Sequence, residues 1–158
     1  MQDLPIIDLR RIEANIIRPI YEEMVNELGE ETARRILGRA IRRNAVEQGR
    51  SLADGSDGRT GIAQFARLLE RWKAGDALRI DVLEQDDERF DFNVVRCRYA
   101  EMYREMGLGE IGRLLSCNRD GALCEGYDPR LELTRTQTIM EGATHCNFRY
   151  RLRREAPD

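Results

Sequence analysis

The spacing of apolar residues changes at Leu78 in this 158-residue chain, and that change constrains the fold more than any other feature. Before Leu78, apolar residues recur at steps of three and four, as in amphipathic helices. From Leu78 onwards, stretches of alternating apolar and polar residues appear, which are typical of half-buried strands. The sequence therefore predicts a helical first half and a sheet in the second half.

Three helices are predicted in the first half. The first runs from Ile12 and is kinked or broken at Pro19, the second follows Gly29, and the third is capped by Thr60. The segment Gly49–Gly61 separates the second helix from the third and contains four glycines and two aspartates, which favours a loop. Long loops of this kind are either plain connections or lids over binding sites, and the sequence leaves both open.

Two β-hairpins are predicted in the second half. The first pairs the run from Leu78 with a run from Phe90, and its turn is at residues 85–88. The second pairs residues 131–140 with residues 145–152 and turns at Glu141-Gly142. We expect an antiparallel four-stranded sheet in an α+β fold.

A helical insertion is predicted between the two hairpins. A helix ends at Gly107, a shorter one runs through Leu114, and the segment Cys117–Pro129 is predicted to be an irregular loop. The N-terminal helices and this insertion would cover the sheet, in a single domain spanning residues 1–158.

Composition narrows the classes of function. The net charge is −3 and arginines alternate with carboxylates, which argues against nucleic-acid binding. No apolar run approaches the roughly 20 residues that span a bilayer, and the N-terminus lacks a basic leader, so we expect a cytoplasmic protein without a membrane partner. The sequence leaves open whether the protein forms a homo-oligomer. In a reducing compartment the four cysteines would be thiols, ligands or nucleophiles rather than disulfide partners.

Residues that could carry chemistry lie in the second half. Cys97 ends a predicted strand, Cys117 and Asp120 lie three residues apart, and His145-Cys146 begins the last strand. Buried cysteine often serves packing alone, and Asp120 followed by glycine could be a simple turn. Because strand side chains alternate, Cys146 should face the core while His145, the only histidine, faces the other way.

A zinc site built from Cys97, Cys117, Asp120 and Cys146 also stays open, since all four are ligand types. Successive cysteines are 20, 7 and 22 residues apart, which matches no structural zinc motif. No cofactor is therefore expected, and zinc is the one alternative.

The second half resembles a known family. Three stretches carry the resemblance. The first is Arg96-Cys97-Arg98-Tyr99 with Glu101-Met102-Tyr103, and the second is Leu108-Gly109-Glu110-Ile111-Gly112 followed by Cys117 and Asp120. The third is Thr136-Gln137-Thr138-Ile139-Met140-Glu141-Gly142, which leads to Cys146-Asn147-Phe148-Arg149. This pattern is similar to the L-2-amino-thiazoline-4-carboxylic acid hydrolase family. In that family an aspartate commonly follows the last cysteine, where this chain has Asn147.

The resemblance implies a hydrolase that opens the thiazoline ring and releases N-carbamoyl-L-cysteine. Cys117 would be the nucleophile and Asp120 the base or amidinium partner, with Cys146 and His145 as further catalytic candidates. Substrate-binding candidates are Cys97, Arg135, Thr138 and Arg149, and either arginine could hold a carboxylate. The nucleophilic role requires a lowered pKa at Cys117.

A fainter resemblance, to the 4VR sensor domains, implies a different function. In those domains cysteines near a C-terminal hairpin bind zinc beside a small-molecule pocket. The alternative to the hydrolase is therefore a non-catalytic module that binds a small molecule.

Overall fold

A computed structural model describes residues 4–155, which form five α-helices and a four-stranded antiparallel sheet. The helices are α1 (Ile6–Leu28), α2 (Glu30–Gly55), α3 (Ile62–Lys73), α4 (Arg98–Glu105) and α5 (Asn118–Tyr127). The strands are β1 (Leu78–Gln85), β2 (Arg89–Cys97), β3 (Leu131–Thr134) and β4 (Cys146–Leu152). The predicted α+β class, with N-terminal helices and a helical insertion, is confirmed.

The first helix is longer and more regular than the sequence suggested. It begins at Ile6 and continues through Pro19, so the predicted break is wrong. Pro19 lies on the exposed side of α1, where water can satisfy the carbonyl that loses its helical donor. Gly29 then joins α1 to α2 with a positive φ of 85°, a conformation that favours glycine.

The segment Gly49–Gly61 is only partly a loop. Helix α2 continues to Gly55, and residues 56–61 form the connection, which corrects the predicted loop boundary. Thr60 is not the cap of α3, because Gly61 occupies that position. The Thr60 hydroxyl instead donates to Asp128 Oδ2 at 2.7 Å and ties the connection to the end of α5.

The strands are ordered β1-β2-β4-β3, so the two hairpins lie side by side. Val94 on β2 faces Cys146 on β4. The first hairpin turns as predicted, and Asp86 accepts hydrogen bonds from two backbone amides of that turn. The second hairpin is shorter than predicted, since β3 ends at Thr134 and a longer connection with a 3-10 turn precedes β4.

The segment Cys117–Pro129, predicted to be irregular, is mostly helical. A π-helical turn spans Arg113–Cys117 and continues directly into α5. Of the two glycines in this segment, Gly126 serves helix packing, whereas a Cβ at Gly121 would meet nothing within 4 Å. A Cβ at Gly126 would collide with the Val46 carbonyl of α2, so glycine lets the two helices approach closely.

Two clusters of buried side chains form the core. One lies among α1, α2 and α4 and includes Tyr103, and the other lies between the sheet and helices α3 and α5 and includes Phe92. Trp72, Leu78 and Cys97 pack against both clusters. Within residues 4–155, none of the helices has the length and apolar character needed to cross a membrane.

Candidate functional site

A cavity of about 80 Å³ lies where the two core clusters meet. That is room for several water molecules or a small organic ligand. Its apolar wall includes the side chains of Phe65, Leu69, Trp72, Phe92, Met140 and Phe148. The sheet and α3 supply most of this wall, while the π-helical turn and the start of α5 supply several of its polar groups.

Three of the four cysteines line this cavity. Cys97 enters from the end of β2, Cys146 from the start of β4, and Cys117 from the π-helical turn. Cys124 is buried in α5 outside the cavity. Cysteines from three separate parts of the sequence therefore meet at one cavity.

Asp120 and Arg135 form an ion pair in the cavity wall. Arg135 Nη1 donates to Asp120 Oδ2 at 2.5 Å, and Nη2 donates to the Cys117 carbonyl at 3.1 Å. The guanidinium also lies over the Phe148 ring, 4.9 Å from its centroid, in a cation–π contact. Arg135 is therefore held on three sides, and it fixes the position of the Asp120 carboxylate.

Burial controls the ionisation of these groups. It raises the pKa of Cys97 to about 11, although the Ala100 amide donates to its sulfur. It also raises the pKa of Cys117, and Asp120 adds to that effect while Arg135 opposes it. The pKa of Cys146 is raised by burial as well. All three thiols are therefore neutral at pH 7, and the lowered pKa that a nucleophilic Cys117 requires is not found.

Asp120 experiences two opposing effects. Burial raises the pKa of its carboxyl, and the charge and hydrogen bond of Arg135 act against that rise. Burial of the guanidinium acts to lower the pKa of Arg135, but the charge and the hydrogen bond of Asp120 together contribute to a net rise. The pair thus provides one localised negative charge and one localised positive charge inside a largely apolar cavity.

Three predicted site residues lie outside the cavity. Arg149 points to the opposite face of the sheet and donates to the Phe92 carbonyl and to Asn93 Oδ1. Thr138 caps the 3-10 turn through a hydrogen bond from the Glu141 amide. The His145 ring contacts the Thr144 hydroxyl. Strand alternation explains why the Arg149 side chain faces away from the cavity, because Arg149 directly follows the inward-facing Phe148.

The predicted zinc ligands do not assemble into a metal site. Residues 4–155 contain no group of three or more histidine, cysteine, aspartate or glutamate side chains placed to hold a metal ion. Cys97, Cys117 and Cys146 share the cavity with Asp120, but that carboxylate is paired with Arg135. The donor set therefore does not fit a bound zinc.

The model of the L-2-amino-thiazoline-4-carboxylic acid hydrolase family matches residues 9–150. The chain belongs to this family. The resemblance noted in the second half of the sequence therefore extends over nearly all of the chain. No curated protein matches the chain significantly.

Solved structures with a similar fold include proteins of other kinds. One is the phenol-responsive sensory domain of the transcription activator PoxR with phenol, at 14% identity and a TM-score of 0.52, covering 87% of this chain and 73% of that one. Another is a trafficking protein particle complex subunit 3 from Naegleria fowleri covalently bound to palmitic acid, at 10% identity and a TM-score of 0.53, covering 94% and 99%. At these identities the likeness shows a shared fold.

The departure from the family pattern at Asn147 has a structural explanation. Asn147 Oδ1 accepts hydrogen bonds from the backbone amides of Thr136 and Gln137, and its Nδ2 donates to the Thr136 hydroxyl. It lies on the face of β4 away from the cavity. An aspartate at this position could accept the same two amide hydrogen bonds, and it too would face away from the cavity. The presence of asparagine therefore removes no carboxylate from the cavity.

Sequence reasoning missed the polar residues that the helices contribute. Arg10 on α1, Gln48 on α2 and Arg119 on α5 all line the cavity. Arg119 lies between the recognised Cys117 and Asp120, but Arg10 and Gln48 are far from them in sequence. Arg10 precedes Ile12, where the first helix was predicted to begin, so its place on the buried face of α1 with Ala14 became visible only in the structure.

Proposed function

We propose that this member of the L-2-amino-thiazoline-4-carboxylic acid hydrolase family hydrolyses a small cyclic amidine-type amino acid derivative. The reference substrate is L-2-amino-thiazoline-4-carboxylate, and the product is N-carbamoyl-L-cysteine. The observation that supports this most strongly is the Asp120–Arg135 ion pair in the wall of the family's cavity. A carboxylate fixed in a small apolar cavity is suited to hold an amidine and to accept a proton.

The reaction adds water to the ring carbon that lies between sulfur and nitrogen. A new carbon–oxygen bond forms, the carbon–sulfur bond breaks, and the oxygen becomes the carbonyl of the ureido group. Of the two water protons, one ends on the ring nitrogen and the other on the released sulfur. We assign Asp120 the role of accepting the proton from the attacking water, with Arg135 holding the carboxylate in place.

The thiols have a different role in this scheme. Because a thiol attacks as the thiolate, the raised pKa values of Cys97 and Cys117 argue against a covalent intermediate. We propose that water attacks directly and that Cys97, Cys117 and Cys146 form part of the wall around the ring.

The test is to incubate the purified protein with L-2-amino-thiazoline-4-carboxylate and to follow N-carbamoyl-L-cysteine by mass spectrometry, with metal content measured on the same sample. Asp120→Asn should lower the rate at least about a hundredfold, the usual contribution of a general base. Asp91→Asn is the matched control, because Asp91 also pairs with an arginine, Arg151, but lies outside the cavity. No turnover, or equal loss in both variants, would contradict the proposal.

A second candidate function is binding without catalysis. It is favoured by the fold shared with the phenol-responsive sensory domain and by the apolar wall of the cavity. Calorimetric binding of the same compound by wild-type protein, with no N-carbamoyl-L-cysteine formed, would support this alternative over the hydrolase.

A further inference from the structure

Two buried polar atoms of the cavity residues have no hydrogen-bond partner among residues 4–155. They are the donor Nη2 of Arg10 and the acceptor Oε1 of Gln48. Arg10 is only 5% exposed. Folded proteins rarely leave such groups unsatisfied, so an unpaired donor and an unpaired acceptor on two residues of one cavity wall point to a ligand that supplies both complements.

The charges around Arg10 are not balanced. Its Nη1 donates to Glu13 Oε1 at 2.6 Å, and the Nη2 of Arg119 donates to Glu13 Oε2 at 3.2 Å. One carboxylate thus serves two guanidinium groups, and the other contacts of Arg119 are the neutral oxygens of Asn44 and Leu115. A surplus positive charge therefore lies at this end of the cavity.

The Arg119 guanidinium reflects the same surplus. Burial, and after it the charge of Arg10, lowers the pKa of Arg119 to about 10. A bound anion would relieve the repulsion between the two arginines. The Arg135 guanidinium is less suited to hold a ligand anion, since its charge is already neutralised by Asp120 and it covers the Phe148 ring.

We propose that Arg10 binds the carboxylate of the ligand through Nη2, that Arg119 adds positive charge to this subsite, and that Gln48 Oε1 accepts an N–H of the ligand. This deepens the proposed function, on which it rests for the choice of probe. It assigns the carboxylate-binding role to Arg10, whereas the sequence had suggested Arg135 or Arg149. Specificity for a cyclic amino acid over its decarboxylated analogue would then originate on α1.

The experiment compares the dissociation constants of two probes at pH 7, measured by stopped-flow tryptophan fluorescence before the first turnover, because Trp72 lines the cavity. One is L-2-amino-thiazoline-4-carboxylate, and the other is 2-aminothiazoline, which lacks the carboxylate. Wild-type protein should bind the carboxylate at least about tenfold more tightly, the effect expected of one charge-assisted hydrogen bond. Arg10→Gln should reduce that preference to below about threefold, and the control Arg149→Gln, outside the cavity, should keep it.

A second variant keeps the test decisive if Arg10→Gln does not fold. Glu13 is partly exposed, and Glu13→Gln removes the carboxylate that competes for Arg10 and Arg119. The preference for the carboxylate probe should then increase. Equal affinity for the two probes in wild-type protein, no binding of either, or an unchanged preference in both Glu13→Gln and a folded Arg10→Gln would overturn the subsite.

Turnover measured on the same samples separates this inference from the proposed function. Carboxylate-dependent binding without N-carbamoyl-L-cysteine supports the subsite and contradicts the hydrolase. Turnover with equal binding of both probes contradicts the subsite and leaves the hydrolase standing.

Discussion

At the scale of single residues, burial decides which side chains in the cavity carry charge. The thiols of Cys97 and Cys117 are held neutral by burial, while Asp120 and Arg135 are held together as an ion pair. A neutral thiol is a poor nucleophile and behaves as a small apolar group. We therefore place the chemistry on the carboxylate and water rather than on sulfur.

The pH dependence of alkylation tests the state of Cys117. The thiolate is the reactive form, and burial raises the pKa of Cys117. At pH 7, iodoacetamide should therefore alkylate Cys117 far more slowly than it alkylates the free thiol of glutathione. The labelling rate should still be increasing at about pH 10, above the pKa of about 8.5 of a free thiol. Peptide mass spectrometry over a pH series measures this, and a plateau below pH 8 would show a lowered pKa instead.

At the scale of elements, the close approach of α2 and α5 positions the polar wall of the cavity. A Cβ at Gly49 would collide with the Leu123 carbonyl, and a Cβ at Gly126 would collide with the Val46 carbonyl. This contact brings Gln48 of α2 and Asp120 of α5 to the same cavity. Gly49 and Gly126 therefore allow the two helices to pack closely, and they do not mark turns.

Alanine substitutions test that contact. Gly49→Ala and Gly126→Ala should each lower the free energy of unfolding by about 1–3 kcal/mol, because the backbones must separate. Gly121→Ala is the matched control within α5, since nothing lies within 4 Å of its Cβ, and it should be neutral or stabilising by up to about 1 kcal/mol. Urea unfolding measures all three, and equal effects at Gly121 and Gly126 would rule out the close approach.

The connection before α3 gives a prediction about pH. Asp128 is buried, which acts to raise its pKa, but hydrogen bonds from Arg130 and Thr60 lower the pKa overall. A lowered pKa in the folded state stabilises the protein above the unfolded carboxyl pKa of about 3.9, and the benefit disappears as pH falls through the folded value. The free energy of unfolding should therefore be larger for wild type than for Asp128→Asn at pH 7. The difference between the two proteins should become smaller at about pH 3. A gap of constant size would refute this assignment.

The sequence predicted some elements better than others for physical reasons. Alternation identified β2 and β4, because a half-buried strand places every second side chain in the core. The same alternation identified β1, although Val82 of that strand is exposed. Helix α5 was missed because its glycines and Asp120-Gly121 are also typical turn residues. Only the tertiary contact with α2 distinguishes the two interpretations, and that contact joins residues far apart in the chain.

At the scale of the whole molecule, the cavity draws on both halves of the chain. Cys97, Cys117, Asp120, Arg135 and Cys146 come from the second half and were identified from local motifs and the family resemblance. Helices α1 and α2 add the polar Arg10 and Gln48, and α3 supplies much of the apolar wall. No local pattern linked these helices to the second half. The complete site is thus a property of the packed layers rather than of any one motif.

The central claim is that this cavity is where the substrate and its product bind. A crystal structure of the wild-type protein with N-carbamoyl-L-cysteine tests it most directly. We predict electron density for the product inside the cavity, with its ureido group beside Asp120 and its carboxylate on Arg10 Nη2. Product bound elsewhere on the protein, or a cavity that contains only water at saturating product, would contradict the account.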